Sequence, residues 1–225
     1  LFPGEHLVDN RPGFGIKSLA EVFEQYGYKI KQDYRFDQKK LNAVHLEYEQ
    51  DLKNYPKVFI SELCLGEFGD LKKNNINLEK LFGDIFSTHL PPVFNDKNID
   101  NRVLCGAPWP KDYSIYKKLS DISEYAGWLY AWGFMANHFT ISVNYLDKIK
   151  NLEELNDLLL KNNCELNKSG GLIKGNKECF LEQSSNMADK VEVEFLDGQK
   201  HLIPCSFYEF AQRYSIDLNN PNNLY

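Results

Sequence analysis

The order of predicted secondary-structure elements repeats along the chain. Apolar residues at helical spacing over 14–26 stop at Gly27, and three strand-like runs follow. In the second half a strand comes first, then a helix capped by Asn151, then three extended runs. The strand-like runs of the first half are Tyr28–Phe36, Leu41–Tyr48 and 57–65. In the second half the opening strand is 137–143 and the helix is Leu152–Lys161. The extended runs that follow this helix are 164–167, 178–186 and 190–210. This repeat predicts an α+β fold in which two βαβββ modules pair to form a cupped mixed sheet.

The repeat also predicts the domain organisation. Residues 1–65 form the first module, whose opening strand is missing, and residues 137–225 form the second module. Between them, residues 66–136 predict a mainly helical insertion with helices near Leu78–His89 and 113–125, followed by a buried aromatic helix or turn. We expect the three parts to make one structural domain.

Composition excludes several function classes. The net charge of −6 and the pI near 5.4 lack the basic excess of a nucleic-acid-binding protein. No apolar run approaches the roughly 20 residues of a membrane helix. The five cysteines are widely spaced without a Cys-x-x-Cys pair, which is typical of reduced thiols in a cytoplasmic protein. The chain lacks an initiator Met, so we expect a fragment or a trimmed sequence.

A fold of this kind is well suited to hold a metal site inside the cupped sheet. In the second module His138 lies on the first predicted strand and Glu209 on the last. If these two strands are neighbours, both side chains reach the inside of the cup. One imidazole and one carboxylate are two of the three ligands in the facial triad of non-haem Fe(II) oxygenases. The pair therefore predicts a divalent-metal site.

Each of these residues also has a structural interpretation. A histidine beside Asn137 is often hydrogen-bonded for structural reasons. Glu209 lies among apolar residues, where a buried carboxylate needs a cation or a metal, and Arg213 is a candidate ion-pair partner. Residue spacing leaves the metal site and the salt bridge both open.

The third ligand is expected on the opening strand of the first module. Only Leu7 and Val8 form an extended run before the first helix. His6 stands in a polar start that is unsuited to a strand facing the cup.

Six stretches carry motifs that resemble those of the 2-oxoadipate dioxygenase/decarboxylase family, whose fold is of the vicinal-oxygen-chelate type. They cover nearly the whole chain. The stretches are Lys40-Leu41-x-Ala43-x-His45, Val58-Phe59-Ile60-Ser61-Glu62-Leu63, Asn137-His138-Phe139-Thr140, Leu166-Asn167-x-Ser169-Gly170-Gly171-x-Ile173-Lys174-Gly175, Leu181-Glu182-Gln183-Ser184-Ser185 and Ile203-Pro204-x-x-Phe207-Tyr208-Glu209-Phe210-Ala211-x-Arg213.

The resemblance implies an enzyme of lysine catabolism that uses Fe(II) and O2. Its substrate would be a 2-oxo dicarboxylic acid such as 2-oxoadipate, and its products a shorter 2-hydroxy acid of the 2-hydroxyglutarate type and CO2. His138 and Glu209 would hold the metal, and another divalent ion could replace Fe(II) in the purified protein. The family's other metal-binding His lies on a strand just before Arg11, so we expect residues to be absent between Asn10 and Arg11, and also after Tyr225.

Further residues follow from the same resemblance. Arg213, and after it Lys174, would bind the far carboxylate of the substrate. Gln183 and Ser184 would hydrogen-bond the substrate or orient a metal ligand, although a polar sheet face exposed to water explains them equally well. The remaining candidates line the pocket or support a ligand from behind, and they are His45, Ser185 and Glu62. Glu62 is also a candidate fourth ligand, with a salt-bridged or surface Glu as the alternative.

Two other function classes stay open. The same fold supports metal-dependent lyases, isomerases and hydrolases. A small-molecule binding protein that keeps the cup without catalysis is the alternative outside enzymes.

Overall fold

The computed structural model describes residues 15–51, 54–68, 77–89, 104 and 106–215 of the 225-residue chain. These residues divide into two compact units. The first unit is drawn from Leu1–Met135 and Glu194–Gln199, and the second from Ala136–Val193 and Lys200–Tyr225. The predicted first module and the insertion therefore fall within one unit.

A helix and three antiparallel strands open the first unit. Helix α1 (Ile16–Glu24) is followed by β1 (Tyr28–Phe36), β2 (Leu41–Tyr48) and β3 (Val58–Leu63), which form a sheet in the order β1-β2-β3. The apolar side of α1 packs on one face of this sheet, because alternate strand residues point to that face. The buried residues at this contact are Ala20, Tyr28, Val44, Leu46 and Ile60. The predicted helix and strands are confirmed.

Three further helices lie in the part of the first unit that the structure describes. They are α2 (Leu78–His89), α3 (Tyr113–Ile122) and α4 (Glu124–Trp132). Their apolar side chains form a second core with Leu41 and Leu63 of the sheet. The largest buried members of this core are Phe82, Phe86, Trp109, Tyr130 and Phe134. The helical character predicted for this part of the chain is confirmed.

The helix predicted over 113–125 is in fact two helices. Ser123 has an extended backbone, which ends α3. Its hydroxyl then accepts a hydrogen bond from the N–H of Ala126 and caps α4. None of the helices in the described parts of the chain is long and apolar enough to span a membrane.

The second unit is built on a four-stranded mixed sheet with one helix on it. Its elements are β4 (His138–Ser142), α5 (Leu152–Lys161), β5 (Lys174–Asn176), β6 (Leu181–Ser185), β7 (Lys190–Glu194), β8 (Lys200–Pro204) and β9 (Phe207–Arg213). The sheet order is β4-β9-β6-β5, with β4 parallel to β9 and the other neighbours antiparallel. Helix α5 begins where predicted, with the Asn151 side chain accepting from the N–H of Glu154 at 2.8 Å.

Two of the predicted strands differ from the structure. The run at 164–167 contributes only an isolated bridge between Leu166 and Asn186, and the second strand of the module is β5. Gly170 and Gly171 both have positive φ and turn the chain just before β5. The last predicted run, 190–210, is three strands. Of these, β7 and β8 pair in a separate two-stranded sheet, and β9 alone completes the module.

The two modules share local features that the sequence does not show. A short 3₁₀ turn leads into the middle strand of each and ends at a non-glycine residue in the left-handed region, Lys40 (φ 53°) and Phe180 (φ 58°). The carbonyl of Lys40 accepts from the N–H of Cys64, and that of Phe180 from the N–H of Tyr214, both at 2.9 Å. The predicted internal repeat is therefore present in the structure.

In each module, the N–H of the first helical residue also donates to a side chain on the last strand. The N–H of Ile16 donates to Glu62 Oε2 at 2.8 Å, and the N–H of Leu152 donates to Gln212 Oε1 at 3.0 Å. Both acceptors lie on the last strand of their module, and each satisfies a helix N–H that has no partner within the helix. Glu62 is thus the counterpart of Gln212.

Glu62 and Glu209 both stand near the end of an apolar strand, but they are not counterparts. Counting three residues back from Glu62 and Gln212, the counterpart of Glu209 is Phe59. The carboxylate of Glu209 therefore belongs to the second module alone.

Candidate metal centre

The two faces of the four-stranded sheet have different surroundings. On one face Phe210 is buried against α5, together with Val143, Leu152 and Leu155. Because successive strand residues point to opposite faces, Glu209 lies on the other face, which α5 does not cover. That second face carries the candidate site.

His138 and Glu209 occupy neighbouring strands on this face. Strand β4 runs parallel to β9, with His138 beside Phe207 and Thr140 beside Glu209. The two residues are therefore two positions out of register, and strand geometry puts their Cα atoms roughly 8 Å apart. An imidazole and a carboxylate extended from such positions can reach one metal ion. The predicted adjacency of the first and last strands is confirmed.

The carboxylate of Glu209 is held by two neutral donors. Gln183 Nε2 donates to Oε1 at 2.5 Å, and Thr140 Oγ1 donates to the same oxygen at 3.1 Å. Among the residues that the structure describes, no ion pair joins Glu209 to Arg213. The salt-bridge interpretation of Glu209 is therefore wrong, and the carboxylate stays available to a metal.

The imidazole of His138 is oriented from two sides. Its ring stacks on Phe207, with ring centroids 5.0 Å apart and an angle of 18° between the planes. Its Nδ1 lies 3.0 Å from Asn137 Oδ1. An amide oxygen only accepts, so in the neutral imidazole this contact places the ring hydrogen on Nδ1 and leaves the Nε2 lone pair free to bind a metal.

Two ligands alone do not complete a site. Within residues 15–51, 54–68, 77–89, 104 and 106–215, no group of three or more His, Cys, Asp or Glu side chains could hold a metal ion. The predicted third ligand, a His between Asn10 and Arg11, lies outside the described residues.

Three of the other predicted residues share the face of Glu209. Ser185 is directly opposite it on β6, and Lys174 on β5 pairs with Gln183. Arg213 is four residues further along β9 than Glu209, so its side chain also starts from this face. These positions agree with their predicted roles, which stay predictions.

The main chain of Arg213 is fixed by a residue that sequence reasoning missed. The Asn144 side chain accepts from the Arg213 N–H and donates to the Arg213 carbonyl, both at 2.8 Å. The available sequence feature was an Asn two residues after the strand that precedes the module's helix, although Asn in a turn has many other uses.

Ser184 does not belong to the site. Its side chain points to the opposite face, where it donates to Asn156 Oδ1 of α5 at 2.8 Å and is 3% exposed. The prediction that Ser184 contacts the substrate is wrong, because adjacent strand residues cannot both face the same side.

Glu62 is likewise occupied elsewhere. Its carboxylate is buried at the start of α1 and also lies 3.4 Å from Asn42 Nδ2. The structure therefore gives Glu62 a helix-capping role on the face of the first sheet that packs on α1, and the prediction of a fourth ligand or pocket residue is wrong.

His45 lies on the opposite face of the first sheet from Glu62. Its Nδ1 is 2.8 Å from Tyr34 Oη and its Nε2 is 3.7 Å from Glu47 Oε1. Burial would raise the pKa of Glu47, but the hydrogen bond and charge of Lys57 outweigh it and lower that pKa, with a contribution from His45. His45 faces Phe59 across the strands as Ser185 faces Glu209, so the two occupy matching positions.

Comparison with known proteins defines the class of fold first. A protein from Ralstonia eutropha JMP134, provisionally assigned to the glyoxalase superfamily, matches with a TM-score of 0.68 over 94% of this chain and 69% of its own, at 15% identity. A protein from Shewanella frigidimarina NCIMB 400, provisionally named a hydrolase, reaches 0.81 over 94% of this chain and 77% of its own, at 40% identity. The fold is α+β and of the vicinal-oxygen-chelate type.

Sequence comparison then identifies the family. Residues 12–225 match the family described as "HGLS: 2-oxoadipate dioxygenase/decarboxylase", and the chain belongs to it. The curated 2-oxoadipate dioxygenase/decarboxylases of Oryza sativa subsp. japonica and Arabidopsis thaliana are each 32% identical over 89% of this chain. The chain spans 56% and 55% of the length of these relatives.

The similar structures include complexes with a ligand. The hydroxyglutarate synthase of Oryza sativa in complex with 2-oxoadipate matches with a TM-score of 0.69 at 30% identity. The match covers 92% of this chain and 67% of that protein.

Proposed function

We propose that this chain carries the metal-binding part of an Fe(II)-dependent dioxygenase/decarboxylase. The observation that supports it is the placement of His138 and Glu209 on one face of the adjoining strands β4 and β9. Membership of the 2-oxoadipate dioxygenase/decarboxylase family supplies the reaction class.

The residues present fit a ferrous ion. Imidazole and carboxylate are the ligand types of the two-His-one-carboxylate site, which leaves positions open for a chelating substrate and O2. His138 offers an unprotonated Nε2, and Glu209 offers Oε2, which accepts no hydrogen bond from any described residue. When bound, the ferrous ion supplies the activation of O2.

The proposed substrate is a 2-oxo dicarboxylic acid of the 2-oxoadipate type. The complex of the rice relative with 2-oxoadipate supports this choice. In the overall reaction 2-oxoadipate and O2 give 2-hydroxyglutarate and CO2, and the six carbons divide five to one. Both atoms of O2 enter 2-hydroxyglutarate, because the released carboxyl group already carries the two oxygens of CO2. The carboxyl group next to the keto carbon is the one lost.

The chain's own residues bind and orient the substrate in this proposal. Arg213 offers a bidentate donor for the carboxylate at the far end of the substrate, and Lys174 adds a second positive charge on the same face. Phe207 holds the His138 ring in one plane, which fixes the direction of Nε2.

A second candidate function is metal-dependent hydrolysis. The provisional name of the Shewanella protein, which is 40% identical to this chain, favours it. The two functions differ in their need for O2, since a hydrolase uses only water.

The decisive experiment follows O2 consumption and CO2 release after Fe(II) and 2-oxoadipate are added to the purified protein. We expect one O2 consumed for each CO2 released, with adipate as an inactive control because it lacks the keto oxygen. Turnover without O2 uptake would favour the hydrolase, and no turnover with any 2-oxo acid would favour a binding protein.

A further inference from the structure

Glu209 is the central residue of a row that crosses three strands. It lies on β9, between β4 on one side and β6 on the other. Thr140 is its direct neighbour on β4, and Gln183 is its diagonal neighbour on β6, a separation that a long side chain spans. Each neighbouring strand therefore contributes one donor to the carboxylate.

Both donors bond to the same carboxylate oxygen of Glu209. Gln183 Nε2 and Thr140 Oγ1 lie 2.5 and 3.1 Å from Oε1. Within the described part of the chain, no hydrogen bond reaches Oε2. A carboxylate that accepts two hydrogen bonds on one oxygen has fewer lone pairs free there, so the other oxygen is the better ligand.

We propose that Gln183 and Thr140 are positioning residues that make Glu209 a one-oxygen metal ligand through Oε2. This inference rests on the proposed function, since it takes Glu209 as a ligand. Of the two roles predicted for Gln183, the inference selects the orientation of a ligand, because its amide nitrogen is engaged by Glu209 and acts on the metal through that carboxylate.

The other module provides an internal comparison. There Phe59 stands at the position of Glu209, and Ala43 stands at the position of Gln183, two residues before His45 on the middle strand. Where the carboxylate is absent, the amide donor is absent too. The two positions thus differ together between the modules, as expected if Gln183 serves Glu209 and not the stability of the sheet.

The hydrogen bonds also restrict rotation of the carboxylate. An unrestrained Glu at this position can turn and offer both oxygens to a metal, which uses two coordination positions. With Oε1 held, one position is used, and the open positions that a chelating 2-oxo acid and O2 need are kept. The arrangement therefore controls the number of open positions as well as affinity.

The test measures metal affinity of the full protein by anaerobic titration with Fe(II), and separately the visible spectrum of bound Co(II), which reports coordination geometry. Gln183→Leu and Thr140→Val each remove one hydrogen bond at nearly constant volume. We expect each to weaken metal affinity about 10- to 100-fold and to change the Co(II) spectrum. Because a Glu209 that binds through both oxygens occupies a position that the 2-oxo acid needs, KM for the 2-oxo acid should also rise at saturating metal.

Three controls accompany these variants. Thr140→Ser keeps the hydroxyl and should retain the affinity of the unaltered protein. Gln199→Leu makes the same chemical change on an exposed turn and should have no effect. Thermal unfolding of every variant shows whether the fold is intact.

The outcomes separate this inference from the function on which it rests. If Glu209→Ala binds metal as tightly as the unaltered protein, Glu209 is no ligand and both proposals fail. If metal binding depends on Glu209 but Gln183→Leu leaves affinity and the Co(II) spectrum unchanged, only the positioning role is overturned. A rise in KM at unchanged metal affinity would instead make Gln183 a substrate-binding residue.

Discussion

The side chain of Asn144 pairs with the main chain of Arg213 as a strand residue would, accepting from its N–H and donating to its carbonyl, both at 2.8 Å. Asn144 lies in the 3₁₀ turn that follows β4, so its amide ties the end of β9 to the segment beyond β4. The start of the Arg213 side chain is thereby fixed relative to Glu209.

Replacing Asn144 should affect stability and substrate binding together. Asn144→Ala removes two hydrogen bonds at an exposed position, and we expect a loss of about 1 kcal/mol in the free energy of unfolding. We also expect a several-fold rise in KM for the 2-oxo acid, because the end of β9 loosens. Asn144→Asp keeps the acceptor. Its free energy of unfolding, measured in urea, and its KM should lie between the values of the unaltered protein and of Asn144→Ala.

Arg213 should distinguish 2-oxo acids that carry a second carboxylate from those that do not. Arg213→Ala removes a charged donor, worth about 1.5 to 3 kcal/mol, so kcat/KM for 2-oxoadipate should fall roughly 10- to 100-fold. For a 2-oxo acid of similar length without the second carboxylate, kcat/KM should fall little in Arg213→Ala. Equal losses for both substrates, measured by O2 uptake, would show that Arg213 does not bind that carboxylate.

Ser184 should matter for stability and leave the site unaffected. Ser184→Ala removes the donor to the buried Asn156 Oδ1, and Asn156 Nδ2 already has no hydrogen-bond partner among the described residues. We expect a loss of about 1 to 3 kcal/mol from this unsatisfied amide, with metal affinity unchanged. The double variant Ser184→Ala/Asn156→Leu replaces both polar groups and should recover most of the loss. A metal-affinity change in Ser184→Ala would return Ser184 to the site.

Glu47 should give the first sheet a pH dependence in the acid range. Its folded-state pKa lies below the ordinary value of 4.5, despite burial, because of Lys57 and His45. A depressed carboxyl pKa stabilises the fold above that ordinary value, and this contribution is lost as the pH falls through the folded pKa. Glu47→Gln should therefore lose stability near neutral pH, by about 0.5 kcal/mol, and show a flatter decline between pH 5 and 3. Glu178→Gln, on an exposed turn, serves as the control, and an unchanged acid limb in Glu47→Gln would contradict the assignment.

Periodicity was sufficient to predict most elements of this fold. Helices α1 and α5 and strands β1 and β2 follow from local patterns, since amphipathic spacing, the stop signal at Gly27 and the cap at Asn151 act over a few residues. Strand β5 was missed because it is three exposed residues long, and such a strand exists only through its partner β6.

The site could be predicted only in part, for a related reason. The proximity of His138 and Glu209 follows from strand order alone. The roles of Glu62 and Ser184 depend on which face a side chain takes, and a shift of one residue along a strand reverses that face. The partners of Glu209 come from β4 and β6, which are distant in sequence, so the hydrogen bonds of Gln183 and Thr140 needed the register of three strands.

The central claim is that His138 and Glu209 bind one metal ion, and stoichiometric anaerobic titration with Fe(II) tests it most directly. We predict close to one Fe(II) per unaltered protein. His138→Ala and Glu209→Ala should each bind at least 100-fold more weakly while unfolding at nearly the same temperature. Full occupancy at unchanged affinity in either variant would contradict the assignment of that residue as a ligand.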